Sequence, residues 1–504
     1  MDPVALQVMV GALRAACEEM GVVLVRSAHS ANIKERRDAS TALFDAAGEM
    51  VMQAEHIPVH LGAMPTAVAA VAAERPQPGD AWILNDPYRG GTHLPDVTVV
   101  SPVHVDGELA GYAASRAHHA DVGGKVPGSM PADSTTLDEE GVVIEPRRLV
   151  RGGELDHELL DSITARMRGP RQRVADLRAQ LAANRAGAAR LAELADRHGL
   201  EALRDAMAAT LDYAERRTRA AIEALGDGER AARDVLEAVD PASGATDDLE
   251  LRLRARVDGG SIVLDFTGSA EQHGGNMNCP LAVTLSACYF AVRVLADPDV
   301  PPCAGAYRPV EVIAPEGCVL NARPPAAVVA GNVETSSRVA DLVLAAFGRA
   351  LGQGTMNNLT LGNESFTYYE TIGGGQGACP DADGPSGVHV AMSNTLNTPV
   401  EALELEFPLR AVEYSLRRGS GGAGARRGGD GVVREVEALE EMQFSLLTER
   451  RRVAPPGAGG GEPGARGRNL VDGSELAAKA AGTLRPGQRL RIETPGGGGH
   501  GRAD

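Results

Sequence analysis

The run Val97-Thr98-Val99-Val100-Ser101-Pro102-Val103-His104-Val105, the pair Asp106-Gly107 and the segment that follows to Ala117 decide how this chain reads. The pattern is strand-like, and Asp-Gly between two alternating runs is the strongest short-range hairpin signal. Pairing outward from the turn brings position 118 back to the start of the first strand. A two-residue loop sets it opposite Pro95, and a three-residue loop sets it opposite Asp96. In both registers His118 returns to Thr92-His93-Leu94-Pro95-Asp96, where Pro95 forbids a regular helix. The register leaves open whether these side chains share a face.

Two imidazoles and a carboxylate converging from turns form a metal site suited to zinc, manganese or iron. His93, Asp96 and His118 are the candidate ligands. His119 falls on the opposite strand face if the strand continues, and reads either as a base behind the ligands or as a surface residue. With Arg116 and Asp121 it makes up the candidate catalytic groups, acting behind the ligands or on the substrate.

Working outward, residues 4–27 space Leu6, Met9, Leu13, Cys17 and Met20 as a helix, and Thr41–Phe44 with Glu49–Gln53 read as a second hairpin. Helices are predicted over about 170–225, after the Gly169-Pro170 break. Leu249–Leu253 and Ser261–Phe266 alternate around Asp258-Gly259-Gly260 and open a β-rich half. The resulting expectation is a multi-layered mixed α/β (α+β) chain. Residues 1–168 form an N-terminal metal-site region, 169–228 a helical segment, and 229–504 a β-rich region with glycine-rich turns and tail. The Pro/Gly-rich stretch 454–468 reads as a mobile loop. The clusters Gly373–Gly375 and Gly496–Gly499 read as tight turns or a flexible end rather than phosphate loops.

The 504 residues carry a formal net charge of −18, which argues against nucleic acid or an anionic membrane as main partner. The six cysteines show no CxxC pair and read as reduced, mostly buried thiols. The N-terminus lacks the basic and apolar regions of a signal peptide and no apolar run reaches the length of a span, so the cytoplasm is expected. Lys34, Lys125 and Lys479 are the only lysines, and none closes a Gly-x-x-x-x-Gly-Lys loop. A reaction that needs ATP therefore needs another chain to bind it.

Ile33–Ser40, His56–Gly62, Asn85–Asp96, Arg116–Gly124, Asp265–Ser269, Asn394–Glu401, Ser420–Gly424 and Pro495–Gly501 resemble, in order, the motifs of the hydantoinase B / oxoprolinase / acetone carboxylase alpha family. Departures fall at Pro302-Cys303-Ala304-Gly305, where the family usually has Asn, and at His500, where an aromatic is common. The resemblance implies one divalent metal, zinc or manganese and possibly iron, on His93, Asp96 and His118, with Asp38 as a fourth ligand. It implies a partner of the hydantoinase A type carrying ATP-Mg, in a hetero-oligomer with two copies of each chain. The implied activity is opening of a hydantoin, 5-oxoproline or lactam ring after phosphorylation of its carbonyl by the partner. Three other readings stand beside it: an alpha-type subunit of an ATP-dependent ketone carboxylase, a non-haem iron oxygenase, and a non-catalytic scaffold.

Overall fold

The computed structural model describes residues 2–55 and 57–503, and of Glu55 only the backbone; His56, part of one quoted motif, lies outside them. The chain opens with helix α1 (Pro3–Ser27), begun by Pro3 and capped by the Asp2 carboxylate, which accepts from the amides of Val4 and Ala5. Leu6, Met9, Leu13, Cys17, Met20 and Leu24 form its buried stripe. That stripe packs on the helix Pro170–His198, the first of two helices in the predicted helical stretch. At the crossing, a Cβ on Gly187 would run into the Met20 side chain, so a glycine that weakens the helix by about 1 kcal/mol lets the two axes approach.

The first half is built on an antiparallel sheet of β1 (Ala39–Asp45), β2 (Met50–Glu55), β3 (Ala81–Leu84), β4 (Asp96–Val105), β5 (Glu108–His118), β6 (Arg147–Arg151) and β7 (Glu154–Leu155), in the order β2-β1-β5-β4-β3-β6-β7. The Asp106-Gly107 hairpin is present, with φ of 50° and 83° at its two central residues. Val105 faces Glu108, so the loop has two residues. A bulge then skips Ala110, and from Val103↔Gly111 onward the register is shifted by one, which sets Asp96 opposite His118. The turn is the shorter of the two alternatives, while the register is that of the longer.

Each sheet face has its own cover. Val97, Val99, Ala113 and Ala117 lie under α1 and the helix Pro170–His198, whose Gln180 and Asn184 amides donate to the carbonyls of Val97 and Val99 at 2.9 and 3.0 Å. Ala42, Phe44, Val100, Tyr112 and Ala114 face the helix Ala63–Ala72.

The β-rich half contains three further sheets. In the strand Leu249–Asp258, Leu249, Leu251, Leu253, Ala255 and Val257 are buried while Arg252, Arg254 and Arg256 face out, as the alternation predicts. A buried ionic network ties this sheet to the last ones: Arg338 meets Asp234 at 2.9 Å and Glu449 at 3.1 Å, and Arg450 meets Asp234 at 2.8 Å and Asp341 at 3.1 Å. Among the described residues no helix is long and apolar enough to cross a membrane. Among the described residues no cysteine forms a disulfide, and five are buried while Cys379 is exposed.

The glycine-rich segments differ from expectation. The amide of Gly497 donates to Gly429 O at 2.9 Å, Gly498 to Leu351 O at 2.8 Å, Gly499 to Glu462 O at 2.9 Å, and Gly422 to Gly497 O at 2.8 Å. Segments from 374–377, 421–429, 455–464 and 495–501 thus lie against one another as a hydrogen-bonded layer, buried at 495–499 and exposed over much of 455–464, rather than as a loose loop and tail. A Cβ on Gly428 would overlap the carbonyl oxygen of Gly497, so at this separation only glycine fits. Composition alone does not separate such a layer from a flexible linker, because both are glycine runs.

Gly428→Ala should therefore destabilise the protein by about 3 kcal/mol through overpacking. Gly473→Ala, at a hairpin turn with open space around it and φ of 82°, should cost about 1 kcal/mol. Denaturant midpoints of the two variants beside the parent check the difference, and equal losses would contradict the layer.

Candidate metal centre

Three strand ends build the site. Asp96 opens β4, His118 closes β5, and Asp38 stands immediately before β1, where its carbonyl accepts the His118 amide at 3.0 Å. Directly opposite residues of antiparallel strands point to one face. The pairs Asp96↔His118 and Ala39↔Ala117 therefore set Asp38, His118 and Asp96 in one row across three strands. The turn before β4 adds His93, whose Nε2 lies 3.2 Å from His118 Nδ1 and 3.8 Å from Asp96 Oδ1. His118 Nδ1 is 3.4 Å from Asp96 Oδ1 and 3.9 Å from Asp38 Oδ2.

These donors fit a metal ion. Ligand atoms about 2.0–2.1 Å from a tetrahedral zinc stand roughly 3.4 Å apart, close to the 3.2–3.8 Å found among His93, Asp96 and His118, with Asp38 3.9 Å from His118. Atoms of His93, Asp96 and His118 lie within 4.8 Å of one another, and all three residues are buried. The cavity that they and Asp38 line measures about 20 Å³, room for an ion or a water but not for a ring. Charge points the same way. Among the described residues the ion pairs of Asp38 and Asp96 run only to His60, His93 and His118, and two buried carboxylates side by side favour a cation between them.

Protonation suits ligation as well. Burial pulls the pKa of His93 down to about 3, so both ring nitrogens cannot carry protons near neutrality. Burial alone would raise Asp96, but the imidazoles of His93, His118 and His60 override it and hold the carboxylate well below its usual range. The rest of Asp96 is fixed from behind: Oδ2 accepts from Thr92 Oγ1 at 2.5 Å and lies 3.4 Å from His60 Nε2, while His60 Nδ1 meets Ser40 at 2.9 Å. The Asn332 side-chain amide nitrogen abuts His93 Nδ1 while its Oδ1 is buried without a hydrogen-bond partner; an amide flip would set Oδ1 against the ring, where it accepts the Nδ1 proton and leaves the Nε2 lone pair for a cation. Tyr369 stacks on His118 with centroids 4.4 Å apart, and the Arg36 guanidinium covers the far side of Tyr369 at 4.5 Å.

Arg116, His119 and Asp121 stand outside the cavity lining. Arg116 occupies the next row on the same face, donating to Thr98 Oγ1 at 2.7 Å and to Gly90 O at 2.5 Å, and burial lowers its pKa to about 10. That guanidinium pins the 90–98 turn under Asp96. His119 points to the other sheet face, as its parity requires, but it is buried rather than on the surface. Its Nε2 meets Gln180 Oε1 at 3.0 Å, and burial lowers its pKa to about 4. Asp121 accepts from the amides of Gly123, Gly128 and Arg168 and pairs with the Arg168 side chain at 3.1 Å, closing the loop beyond His118.

Sequence reading did not single out His60, Asn332, Tyr369 or Arg36 for the site. His60 had a signal in Pro58-Val59-His60, where proline starts a short turn. Asn332 had none, since it sits on a π-helical turn over Gly331–Thr335 some 240 residues from its partner in the chain.

Residues 2–503 match the model of the family described as hydantoinase B/oxoprolinase. A 5-oxoprolinase of Dictyostelium discoideum is 38% identical over 100% of this chain, which spans 41% of that protein's length. The solved ATP-dependent caprolactamase of Pseudomonas jessenii superposes with a TM-score of 0.93 at 28% identity, covering 100% of this chain and 91% of that one. A nucleotide-free acetone carboxylase superposes with a TM-score of 0.87 at 18% identity over 99% of this chain and 76% of that one, a likeness of fold. With the ordered motifs and a family match over nearly its whole length, this chain belongs to the hydantoinase B/oxoprolinase family.

Proposed function

We propose that this chain is the metal-carrying, hydrolytic part of an ATP-dependent cyclic amide hydrolase whose ATP site lies on a separate hydantoinase A-type partner. The observation that carries the reading is the buried row Asp38–His118–Asp96 with His93 beside it, whose donors and charge suit one divalent cation. Its family supports the reaction class: one relative is a 5-oxoprolinase, and the caprolactamase neighbour is named as ATP-dependent. A separate partner is supported by the three lysines, none of which closes a phosphate-binding loop in this sequence.

In this reaction the partner phosphorylates the ring carbonyl oxygen. Water adds to the activated carbon, the ring C–N bond breaks with its electron pair leaving on nitrogen, and hydrolysis of the resulting acyl phosphate releases phosphate. A divalent ion supplies Lewis acidity, which lowers the pKa of water toward neutrality. The chain's own part is to fix the donors. Arg116 and Thr92 hold the turn that presents His93 and Asp96, His60 orients Asp96, and Val59, Val333, Met356 and Tyr369 wall the cavity against bulk solvent.

Purified protein should contain about one divalent ion per chain. His118→Ala and Asp96→Asn should lower lactam-dependent phosphate release about 10³-fold or more while melting within a few degrees of the parent, because the ligands end strands whose cores lie elsewhere. Variants that keep both metal and turnover would overturn the ligand set.

The isolated chain should show no tight ATP binding in calorimetry, since Lys34, Lys125 and Lys479 each lie outside a phosphate-binding loop. Co-expression with the partner should bring turnover. Tight ATP binding by this chain alone would contradict the division of labour.

A further inference from the structure

The cavity at the candidate metal centre is too small for a ring, so a cyclic amide must lie elsewhere and reach inward. A second cavity of about 490 Å³ adjoins it, within the roughly 300–1,000 Å³ usual for small-molecule sites. Two short segments form the wall between them, the turn at Pro58–His60 and the irregular stretch 393–395. Ile57, Val59, His60 and Thr395 line the small cavity, whereas Pro58, Leu61 and Asn394 line the large one. Ser393 lines both, so the two spaces come within one side chain of each other there.

The large cavity has the make-up of a ring site. Leu61, Phe290, Leu344 and Val390 give it apolar walls, and Gln376 and Asn394 add neutral polar groups. Arg293 also lines it, with Nη2 donating to the carbonyls of Pro298 and Val300. Ser393 is itself held in place: its amide donates to Val390 O at 3.2 Å, and its hydroxyl lies 2.6 Å from His389 Nδ1. In the tautomer of His389 that presents the Nδ1 lone pair, the Ser393 hydroxyl donates to it and Oγ keeps lone pairs to accept an N–H from a bound ring.

Resting on the proposed function, we propose that the large cavity holds the ring of the cyclic amide and that Ser393, oriented by His389, is a positioning residue that binds the ring N–H where the two cavities meet. The carbonyl carbon beside that nitrogen is thereby set toward the His93–Asp96–His118 donors. Ser393 takes no part in bond making. Its effect is on how often the carbon is correctly placed.

The test uses the metal-loaded complex with its ATP-binding partner and three probes: hydantoin, 5-oxoproline and ε-caprolactam. On the ring that the parent opens, Ser393→Ala should raise KM about tenfold, as loss of one buried hydrogen bond implies, with metal content and Tm unchanged. Ser393→Thr, which keeps the hydroxyl, should recover most of that loss. Ala391→Phe, which fills the large cavity from a partly buried position, should raise KM at least as much. Parent-like KM in both Ser393→Ala and Ala391→Phe, on a ring that the parent opens, would overturn the ring site and leave the proposed function standing. A metal-loaded parent complex that opens none of the three rings would overturn the proposed function, and the ring site with it.

Discussion

The register of one antiparallel pair, Asp96 opposite His118, is the constraint on which the candidate site depends. Had the hairpin run without its bulge at Ala110, His118 would face Pro95 and point away from Asp96, because a slip of one residue exchanges the two faces of a strand. The bulge also keeps Arg116 opposite Thr98, one row below, where its guanidinium reaches Gly90 O and holds the turn that carries His93. A defect in the ladder some seven residue pairs away therefore sets the chemistry at the strand ends. Energetically the row is costly to assemble. Two carboxylates and two imidazoles leave water together, and such a group is tolerated when it is paired or when it holds a cation.

The remainder of the chain closes over this row. The π-helical turn at Gly331–Thr335 delivers Asn332 to His93, and the strand Thr367–Glu370 delivers Tyr369 to His118. Arg36, two residues before Asp38, donates to Tyr369 O at 2.6 Å and to Thr371 at 3.1 Å. The same guanidinium thus joins the N-terminal sheet to the β-rich half beside the ligands. The ionic network around Arg338 and Arg450 and the hydrogen-bonded glycine layer at 495–501 tie the segments of that half to one another.

Local pattern carried much of this and missed what is not local. The α1 stripe, the paired helices after Gly169, the alternation of Leu249–Val257 and the Asp106-Gly107 turn are short-range signals, and each reads directly from spacing. The bulge has no such mark, since Leu109-Ala110-Gly111 looks like continuous strand, so the sequence left Pro95 and Asp96 as equal candidates for the partner of His118. Asn332 and Tyr369 were illegible because their role comes from contacts across more than two hundred residues. The glycine segments misled for a different reason: low side-chain content marks a flexible linker and a layer packed too closely for any Cβ in the same way.

If His93, Asp96, His118 and Asp38 surround one divalent ion, diffraction from crystals of the catalytically active protein, recorded above the absorption edge of the metal it contains, will show a single strong anomalous peak per chain, bounded by His93 Nε2, Asp96 Oδ1, His118 Nδ1 and Asp38 Oδ2. An active protein whose peak lies elsewhere, or that gives none, would contradict it.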